Sequence, residues 1–314
     1  MAVAATGFFD GVHLGHRAVI ETLLRTARER SEQSLILTFW PHPRTVLRGG
    51  SRDLRLLTSL DEKIALLKGL GVDRIEVLPF TRDFSAMTAR EYLELLSRDY
   101  DVTSIVLGYD NRFGSDGLST EQIGELAQGM FISPEVVSPQ QICATLGTIR
   151  GGTAIAVGSS DSETICRGDT TSANISSTKI RKALGAGDVK LAAQMLGYEY
   201  SLSGVVVSGN MMGRTIGFPT ANMKLREPLK FLPAVGAYLS RVEVEGQQLW
   251  GMTNIDHNEK IETNIFDFSD EIYGLDLKVT FIDKLRDEIR FNSFEELKSQ
   301  LEKDRVAALQ IITG

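Results

Sequence analysis

The first half of the chain alternates between two hydrophobic patterns. Short runs of consecutive apolar residues, typical of buried strands, are separated by stretches with apolar residues three and four positions apart, typical of helices. The runs predict strands at residues 3–9, 34–40, 74–78, 103–107 and 131–137, and the spaced patterns predict helices at 17–30, 61–70, 88–99 and 119–128. This alternation favours an α/β fold, a Rossmann-like domain whose parallel sheet is covered by helices on both faces. Ligands of such sheets bind beyond the carboxyl ends of the strands.

The second half of the chain has a different pattern. After two short predicted helices, strand-like runs follow one another with turns between them, and one helix ends the chain. The predicted helices are 178–184, 189–196 and 293–309, and the predicted strands are 202–207, 236–244, 248–255, 260–266 and 275–282. Several strands followed by one helix indicate a small antiparallel β-barrel with a C-terminal helix. We therefore predict two domains, residues 1–186 and 187–314.

Composition and charge exclude several classes of protein. The chain has 314 residues, a hydrophobic fraction of 42% and a net charge of −7, so it is globular and not a broad nucleic-acid binder. Its two cysteines, Cys143 and Cys166, cannot form a disulfide framework and fit a reducing cytoplasm. Its apolar runs are too short to span a membrane, and the N-terminus lacks the pattern of a signal peptide.

Residues 7–16, which we call the 7–16 turn, combine three glycines with two of the four histidines of the chain. The turn follows the first predicted strand and opens the first helix, where free N–H groups and the helix dipole favour anions. His13 and His16 are three residues apart and can donate to the same phosphate. The alternatives are a glycine-rich turn with incidental histidines, or a metal pair, for which nearby Cys or Glu ligands are missing. The position of the turn favours a phosphate site.

The 7–16 turn resembles the H-x-G-H signature of nucleotidyltransferases. Its longer form, G-x-F-D-G-V-H-x-G-H, is similar to the adenylyltransferase module of bacterial bifunctional riboflavin kinase/FAD synthetases. Three later segments match that module in the same order. They are Pro41-His42-Pro43, residues 108–114 (GYDNRFG) and residues 176–181 (SSTKIR).

The resemblance implies adenylyl transfer, in which an FMN phosphate oxygen attacks the α-phosphate of ATP and expels pyrophosphate. Positioning and charge stabilisation would dominate catalysis, with His13, His16 and Arg181 as the catalytic residues. His42 would contact the flavin, although it is also compatible with a rigid turn between prolines. The residues implied to bind ATP are Gly7, Phe9, Asp10, Gly15, Asp110, Ser177 and Thr178. Read alone, residues 176–181 are more typical of an ordinary capped helix start, since Ser and Thr favour N-cap positions.

Residues 209–222, the 209–222 loop, resemble the G-x-x-x-G-R-x-I-G-F-P-T-A-N motif of riboflavin kinases. The alternative for such a segment is a glycine-rich hairpin. The resemblance implies that Thr220 and Asn222 hold Mg²⁺, for which oxygen ligands are suited. Glu262 would be the base that deprotonates the ribityl 5′-hydroxyl of riboflavin, and Arg286 would contact flavin or nucleotide. The residues implied to bind the ATP phosphates are Gly209, Gly213, Gly217 and Thr220.

Three segments depart from the family pattern. Asn111 replaces the usual aromatic residue. An insertion at residues 146–174 is compatible with a flap over the ATP site or with a surface loop. The connection at residues 254–262 lacks a P-T-F segment, which predicts a tight hairpin around His257-Asn258 and a trimmed flavin-side loop.

The family resemblance implies a bifunctional enzyme of FAD biosynthesis, and the cysteine content predicts that it is cytoplasmic. It would use Mg²⁺ and ATP to convert riboflavin to FMN and FMN to FAD, with small molecules as its partners and no nucleic acid or membrane. The trimmed connection supports an alternative, a monofunctional FMN adenylyltransferase whose degenerate kinase domain still binds flavin. A flavin- or nucleotide-binding regulatory protein without turnover is a second hypothesis. A third hypothesis is a related cytidylyltransferase. The 209–222 loop argues against it, because that activity would not need a riboflavin kinase motif.

Overall fold

The computed structural model describes residues 1–47, 54–109, 111–137, 175–209 and 212–313. Within the chain there are two compact units, Met1–Ser176 and Ser177–Gly314. The predicted boundary at residues 186/187 falls between two short helices of the second unit and stays a prediction. Asp110, Cys143, Cys166 and the 146–174 insertion lie outside the described residues.

The first unit contains a five-stranded sheet in the order β3-β2-β1-β4-β5, and every neighbouring pair is parallel. The α/β alternation predicted from the sequence is confirmed. The strands are β1 (Ala2–Thr6), β2 (Gln33–Trp40), β3 (Arg74–Pro79), β4 (Val102–Gly108) and β5 (Ser133–Val137). The helices are α1 (Leu14–Arg30), α2 (Pro43–Leu47), α3 (Leu60–Gly69), α4 (Arg82–Ala86), α5 (Ala89–Tyr100) and α6 (Thr120–Gly129).

The central strand β1 is buried on both faces. Val3 and Ala5 pack in one apolar cluster with residues of α1, whereas Ala2 and Ala4 pack in another with residues of α5 and α6. Alternate residues of a strand point to opposite faces, so helices cover the sheet on both sides. The strand ends at Thr6, earlier than predicted, and the backbone that follows adopts a left-handed conformation at Phe9 (φ 52°).

The second unit is a closed six-stranded barrel in the order β10-β7-β6-β11-β8-β9, and all its neighbouring strands described here pair antiparallel. The predicted barrel and C-terminal helix are confirmed. The strands are β6 (Ser201–Val207), β7 (Ala221–Leu225), β8 (Gly236–Val244), β9 (Gln247–Ile255), β10 (Ile261–Ile265) and β11 (Asp276–Arg286). The helices are α7 (Ser177–Gly185), α8 (Val189–Leu196), α9 (Met212–Thr215) and α10 (Phe294–Thr313).

A chain of hydroxyl groups crosses three barrel strands. The Thr253 hydroxyl lies 2.7 Å from that of Ser240 and 3.0 Å from that of Thr263, and all three side chains are fully buried. Ser240 also donates to the carbonyl of Gly251. Because strand residues alternate between faces, Glu262 and Asn264 lie on the opposite face of β10 from Thr263.

Candidate active sites

The 7–16 turn lies at the carboxyl end of the central strand, where the first unit is expected to bind ligands. His13 is the N-cap of α1, and its Nδ1 accepts a hydrogen bond from the backbone N–H of His16 at 3.3 Å. Gly15 lies against His13, since a Cβ at Gly15 would come within 3.2 Å of the His13 ring. The structure therefore brings both predicted histidines to the first turn of one helix.

The two imidazole rings are stacked, with centroids 3.6 Å apart and an interplanar angle of 14°. The edge of the His16 ring also meets Phe9, at 5.3 Å between centroids. Burial, together with the charges of His13 and Lys63, lowers the pKa of His16 well below its usual 6.5. The Nδ1 atom of His16 is buried and has no hydrogen-bond partner within the described chain. A neutral imidazole with an unpartnered buried nitrogen is suited to meet a polar ligand atom.

Asp10 connects the 7–16 turn to the segment that precedes α3. Its side chain is 4% exposed, and Oδ1 accepts hydrogen bonds from the backbone N–H of Leu57 at 2.9 Å and of Thr58 at 3.2 Å. The Thr58 hydroxyl lies 3.4 Å from the same oxygen and accepts from Gly11 N–H at 3.1 Å. The motif match implied that Asp10 binds ATP, and that role stays a prediction. The observed contacts give Asp10 a bracing role in the turn.

Asp10→Ala is expected to lower the free energy of unfolding of the first unit by about 3 kcal/mol, because several buried donors lose their acceptor. Asp10→Asn keeps one carbonyl oxygen and is expected to fall between the parent and the alanine variant. Thermal unfolding of the full chain, followed with FAD formation, measures both effects. Unchanged stability in the alanine variant would contradict the bracing role.

The ends of three neighbouring strands meet around this turn. His42, just after β2, places its ring 4.2 Å from that of Phe8, and its Nδ1 accepts from the backbone N–H of Arg44. Asn111, which follows β4, donates from Nδ2 to the carbonyl of Thr6 at 3.4 Å. His42 therefore lies beside the 7–16 turn, and its flavin role stays a prediction.

The predicted phosphate residues Ser177, Thr178 and Arg181 belong to the first turns of α7, in the second unit. Ile180 of this helix is fully buried, whereas Thr178 is exposed and Ser177 and Arg181 are half-buried. One apolar side chain, Ile180, is thus buried among polar residues that are at least partly exposed, as is typical of an amphipathic helix. Their assignment to ATP stays a prediction.

The second unit places Glu262 between two asparagines of neighbouring strands. It pairs with Asn222 of β7 on one side and with Asn254 of β9 on the other. Strand β7 was not predicted. Its presence puts Asn222, and Thr220 two residues before it, beside the predicted base. The structure therefore brings the predicted metal ligand Asn222 next to Glu262.

The glycines of the 209–222 loop allow close approach of the backbone. A Cβ at Gly209 would lie 2.1 Å from the Asn222 amide nitrogen, and one at Gly213 would lie 2.2 Å from the Phe218 carbonyl oxygen. Gly217 has φ +84°, a conformation that favours glycine. A recess of about 280 Å³ adjoins this loop and is lined by Val207, Ser208, Gly209, Asn222, Met223, Lys260 and Ile261. Lys260 was not among the predicted site residues, because only the fold brings its exposed side chain to the loop.

The connection before Glu262 is the tight hairpin that the sequence predicted. Strands β9 and β10 pair directly up to Ile255 and Ile261. Asp256 fixes the turn, since its Oδ1 accepts from the backbone N–H groups of Asn258 and Lys260, both at 2.8 Å. The trimmed connection is therefore an ordered turn that ends at Lys260.

The side chain of Asn264 in β10 contacts the backbone near the end of the 209–222 loop. Its side chain is 5% exposed and donates from Nδ2 to the carbonyl of Pro219 at 2.8 Å. Its Oδ1 is buried without a hydrogen-bond partner among the described residues. The contact fixes the backbone immediately before Thr220, a function that the sequence did not reveal.

Asn264→Asp is expected to reduce FMN formation more than tenfold, because the isosteric carboxylate cannot donate to Pro219 and repels its carbonyl. FAD formation from supplied FMN is the internal control and should stay within twofold of the parent. Initial rates measured by flavin chromatography give both values. An unchanged kinase rate would show that Thr220 does not depend on this contact.

Arg286 is held in an ion pair with the C-terminal helix α10. Its Nε donates to both carboxylate oxygens of Asp304, at 3.1 and 2.9 Å, and Gln300 also donates to Asp304. Asp304 is 5% exposed. Arg286 thus ties β11 to α10, and its predicted contact with flavin or nucleotide stays a prediction.

Two kinds of feature are absent from the described ranges of the chain. These ranges contain no group of three or more His, Cys, Asp or Glu residues placed to hold a metal ion. Nor do they contain a helix with the length and apolar character needed to cross a membrane. Thus no third His, Cys, Asp or Glu in these ranges lies where it could bind a metal ion together with His13 and His16.

Comparison with known proteins gives matches for both units. A family model described as FAD synthetase matches residues 1–145, and one described as riboflavin kinase matches residues 196–312. A protein of Listeria monocytogenes is 35% identical over 96% of this chain and 90% of its own length. One of Bacillus subtilis is 33% identical over 100% of this chain and 93% of its own length. Both relatives are named bifunctional riboflavin kinase/FMN adenylyltransferase.

A solved structure supports the same architecture. The crystal structure of a Streptococcus pneumoniae protein described as a macrolide-efflux protein matches with a TM-score of 0.81 and 30% sequence identity. The match covers 98% of this chain and 93% of that protein. The fold described above is therefore shared across nearly the whole chain.

Proposed function

The chain belongs to the family of bifunctional riboflavin kinase/FMN adenylyltransferases, and on that basis we propose the residues that act in each of its two reactions. The enzyme is a transferase that phosphorylates riboflavin with ATP to give FMN. It then transfers the adenylyl group of a second ATP to FMN, giving FAD and pyrophosphate. Both domains are present, so the bifunctional interpretation is favoured over the monofunctional alternative.

For adenylyl transfer, we propose that the 7–16 turn binds the triphosphate of ATP. The stacked histidines at the N-terminus of α1 are the observation that carries this assignment. His13 and His16 donate to the phosphate oxygens on which charge develops as the FMN phosphate oxygen attacks, and pyrophosphate leaves. The backbone at Gly7, Phe9 and Gly15 lets the triphosphate approach.

The remaining assignments for adenylyl transfer rest on the motif matches alone. Ser177, Thr178 and Arg181 hold the β- and γ-phosphates, with the guanidinium of Arg181 as a forked donor. From the same motif matches we propose that Asp110 binds ATP and that His42 contacts the flavin. Asp10 supports the turn through Leu57 and Thr58.

For the kinase reaction, we propose that Glu262 accepts the proton of the ribityl 5′-hydroxyl, so that the oxygen can attack the γ-phosphate of ATP. The pairing of Glu262 with Asn222 carries this assignment. Gly209, Gly213 and Gly217 allow the backbone of the 209–222 loop to bind the ATP phosphates. Arg286 contacts the flavin or the nucleotide.

The residues beside Glu262 fit a magnesium ion. Thr220 and Asn222 supply a hydroxyl and an amide oxygen, which are the hard donors that this ion prefers. We propose that they hold Mg²⁺, which neutralises phosphate charge when bound. Adenylyl transfer is proposed to use Mg²⁺ as well. The cysteine content and the net charge of −7 support a cytoplasmic enzyme that acts on small molecules and not on nucleic acid.

Flavin chromatography after incubation with riboflavin, ATP and Mg²⁺ tests both activities. FMN followed by FAD is expected, and omission of Mg²⁺ with added chelator should stop both steps. Unchanged riboflavin, with FAD formed only when FMN is supplied, would show that the trimmed hairpin has silenced the kinase. Unchanged FMN and ATP would contradict the adenylyltransferase.

A further inference from the structure

The first unit buries a lysine that none of the assignments above uses. Lys63, in the first half of α3, is 1% exposed. Its Nζ donates to the carbonyl of Phe8 at 3.0 Å and to the Thr38 hydroxyl at 2.9 Å, and it lies 4.0 Å from the centre of the Phe8 ring. Lysine is almost never fully buried unless a partner requires it. Here the partner is the backbone of the 7–16 turn.

The charge of Lys63 affects the protonation of His16 in the histidine pair. Burial lowers the pKa of Lys63 from 10.5 to about 8, and the carboxylate of Asp10 opposes that shift. The ammonium group is therefore still mostly protonated at pH 7. Its charge is one of the causes that lower the pKa of His16. A positive charge thus lies close to the turn that is proposed to receive the anionic triphosphate.

A purely structural role does not explain this choice of residue. An apolar side chain of similar length would fill the same space without the cost of removing a charge from water. What an apolar side chain cannot supply at this position is a charged donor to the Phe8 carbonyl.

We propose that Lys63 is a positioning residue of the adenylyltransferase site. It fixes the Phe8 carbonyl, and with it the conformation of the 7–16 turn, and its charge favours the binding of the triphosphate there. This inference rests on the proposed role of the 7–16 turn in binding ATP. It adds a residue of α3 that lies outside every motif of the sequence.

Lys63→Met tests the proposal, because methionine keeps an unbranched side chain and removes the charge. We expect kcat/KM for ATP in FAD formation to fall roughly 30-fold. This is less than the ~10²- to 10³-fold loss for a donor that touches the developing charge, because Lys63 acts through the turn. Riboflavin phosphorylation by the same polypeptide should stay within twofold. Lys63→Arg, which keeps the charge, should recover part of the loss. Lys68→Met is the matched control, since Lys68 is an exposed lysine of the same helix.

The unfolding temperature separates positioning from general support of the fold. If Lys63→Met keeps both activities within twofold, the proposal is wrong. It is also wrong if Lys63→Met and Lys63→Arg lose FAD formation equally and unfold at equally reduced temperatures. Loss of activity with a retained unfolding temperature is the expected result.

A pH profile keeps the proposal testable even where a variant fails to fold. Among the described residues, Asp10 of the turn and His16 of α1 interact with the charge of Lys63. The pKa of His16 is lowered well below 6.5, so His16 does not titrate near pH 8. The parent enzyme should therefore lose FAD formation, but not FMN formation, as pH rises through about 8 and Lys63 loses its proton. Absence of this alkaline limb, or its persistence in Lys63→Arg, overturns the proposal.

The comparison with His16→Ala shows which claim has failed. If His16→Ala slows FAD formation by about 10²-fold or more and Lys63→Met does not reduce it, only the inference about Lys63 is wrong. If His16→Ala itself retains FAD formation, the assignment of the 7–16 turn is wrong.

Discussion

His16→Ala is expected to slow FAD formation from FMN by about 10²- to 10³-fold, which is the usual effect of removing one donor that faces developing charge. Formation of FMN from riboflavin should stay within twofold, because it depends on the second unit. The physical reason is the location of His16 in the first turn of α1, with a buried ring nitrogen that no described protein group satisfies. Chromatography of flavins from parallel reactions started with FMN and with riboflavin measures both rates.

Glu21→Ala is the matched control, since Glu21 is an exposed residue of the same helix. It should change neither rate. Equal loss of both activities in His16→Ala would contradict the assignment of separate sites.

The lowered pKa of His16 has a consequence for stability as well. The unfolded chain takes up a proton near pH 6.5, whereas the folded chain takes it up only at a lower pH. The first unit should therefore lose stability as pH falls below about 6.5, and His16→Ala should remove that contribution. Thermal unfolding between pH 7.5 and 5 of both proteins measures the difference.

Glu262→Gln is expected to lower the rate of FMN formation by about 10²- to 10⁴-fold, because glutamine cannot accept the proton of the ribityl hydroxyl. FAD formation from supplied FMN should be unchanged. The pairing of Glu262 with Asn222 and Asn254 holds the carboxylate beside the proposed Mg²⁺ ligands, and glutamine should preserve the same strand pairing. The measurement is again the initial rate of each step.

Glu271→Gln, a change at an exposed glutamate of the same unit, serves as the control. FMN formation at the parental rate in Glu262→Gln would exclude Glu262 as the base. A loss in both variants would point to a general effect on the barrel.

The sequence predicted the fold class of each domain better than the individual strands and their pairing. Alternating strand and helix patterns were sufficient for a parallel sheet with helices on both faces, because burial on both faces produces continuous apolar runs. Strand β7 was missed because Ala221 and Asn222 belong to types that are depleted in strands, and because the segment was interpreted as a phosphate loop. Its pairing with β10 depends on closure of the barrel, which no local pattern indicates.

The motifs identified residue types but not the directions of side chains. Asp10 matched a ligand-binding motif, yet its carboxylate contacts Leu57 and Thr58. Lys63 was missed because lysine in an amphipathic helix is ordinarily exposed, and only the packing of α3 reveals its contact with Phe8. Such contacts join segments that are distant in sequence, so they follow from the tertiary fold alone.

The hydrogen-bonded hydroxyl groups of Ser240, Thr253 and Thr263 favour the observed register of β10 along β9. If β10 slipped by one residue along β9, Thr263 would turn outward and Glu262 would enter the barrel. The Thr253 hydroxyl would then lose a partner, and a carboxylate would be buried in its place, so the slipped state is penalised twice. The three buried hydroxyl groups thus favour the one register of β10 that keeps Glu262 on its outer face.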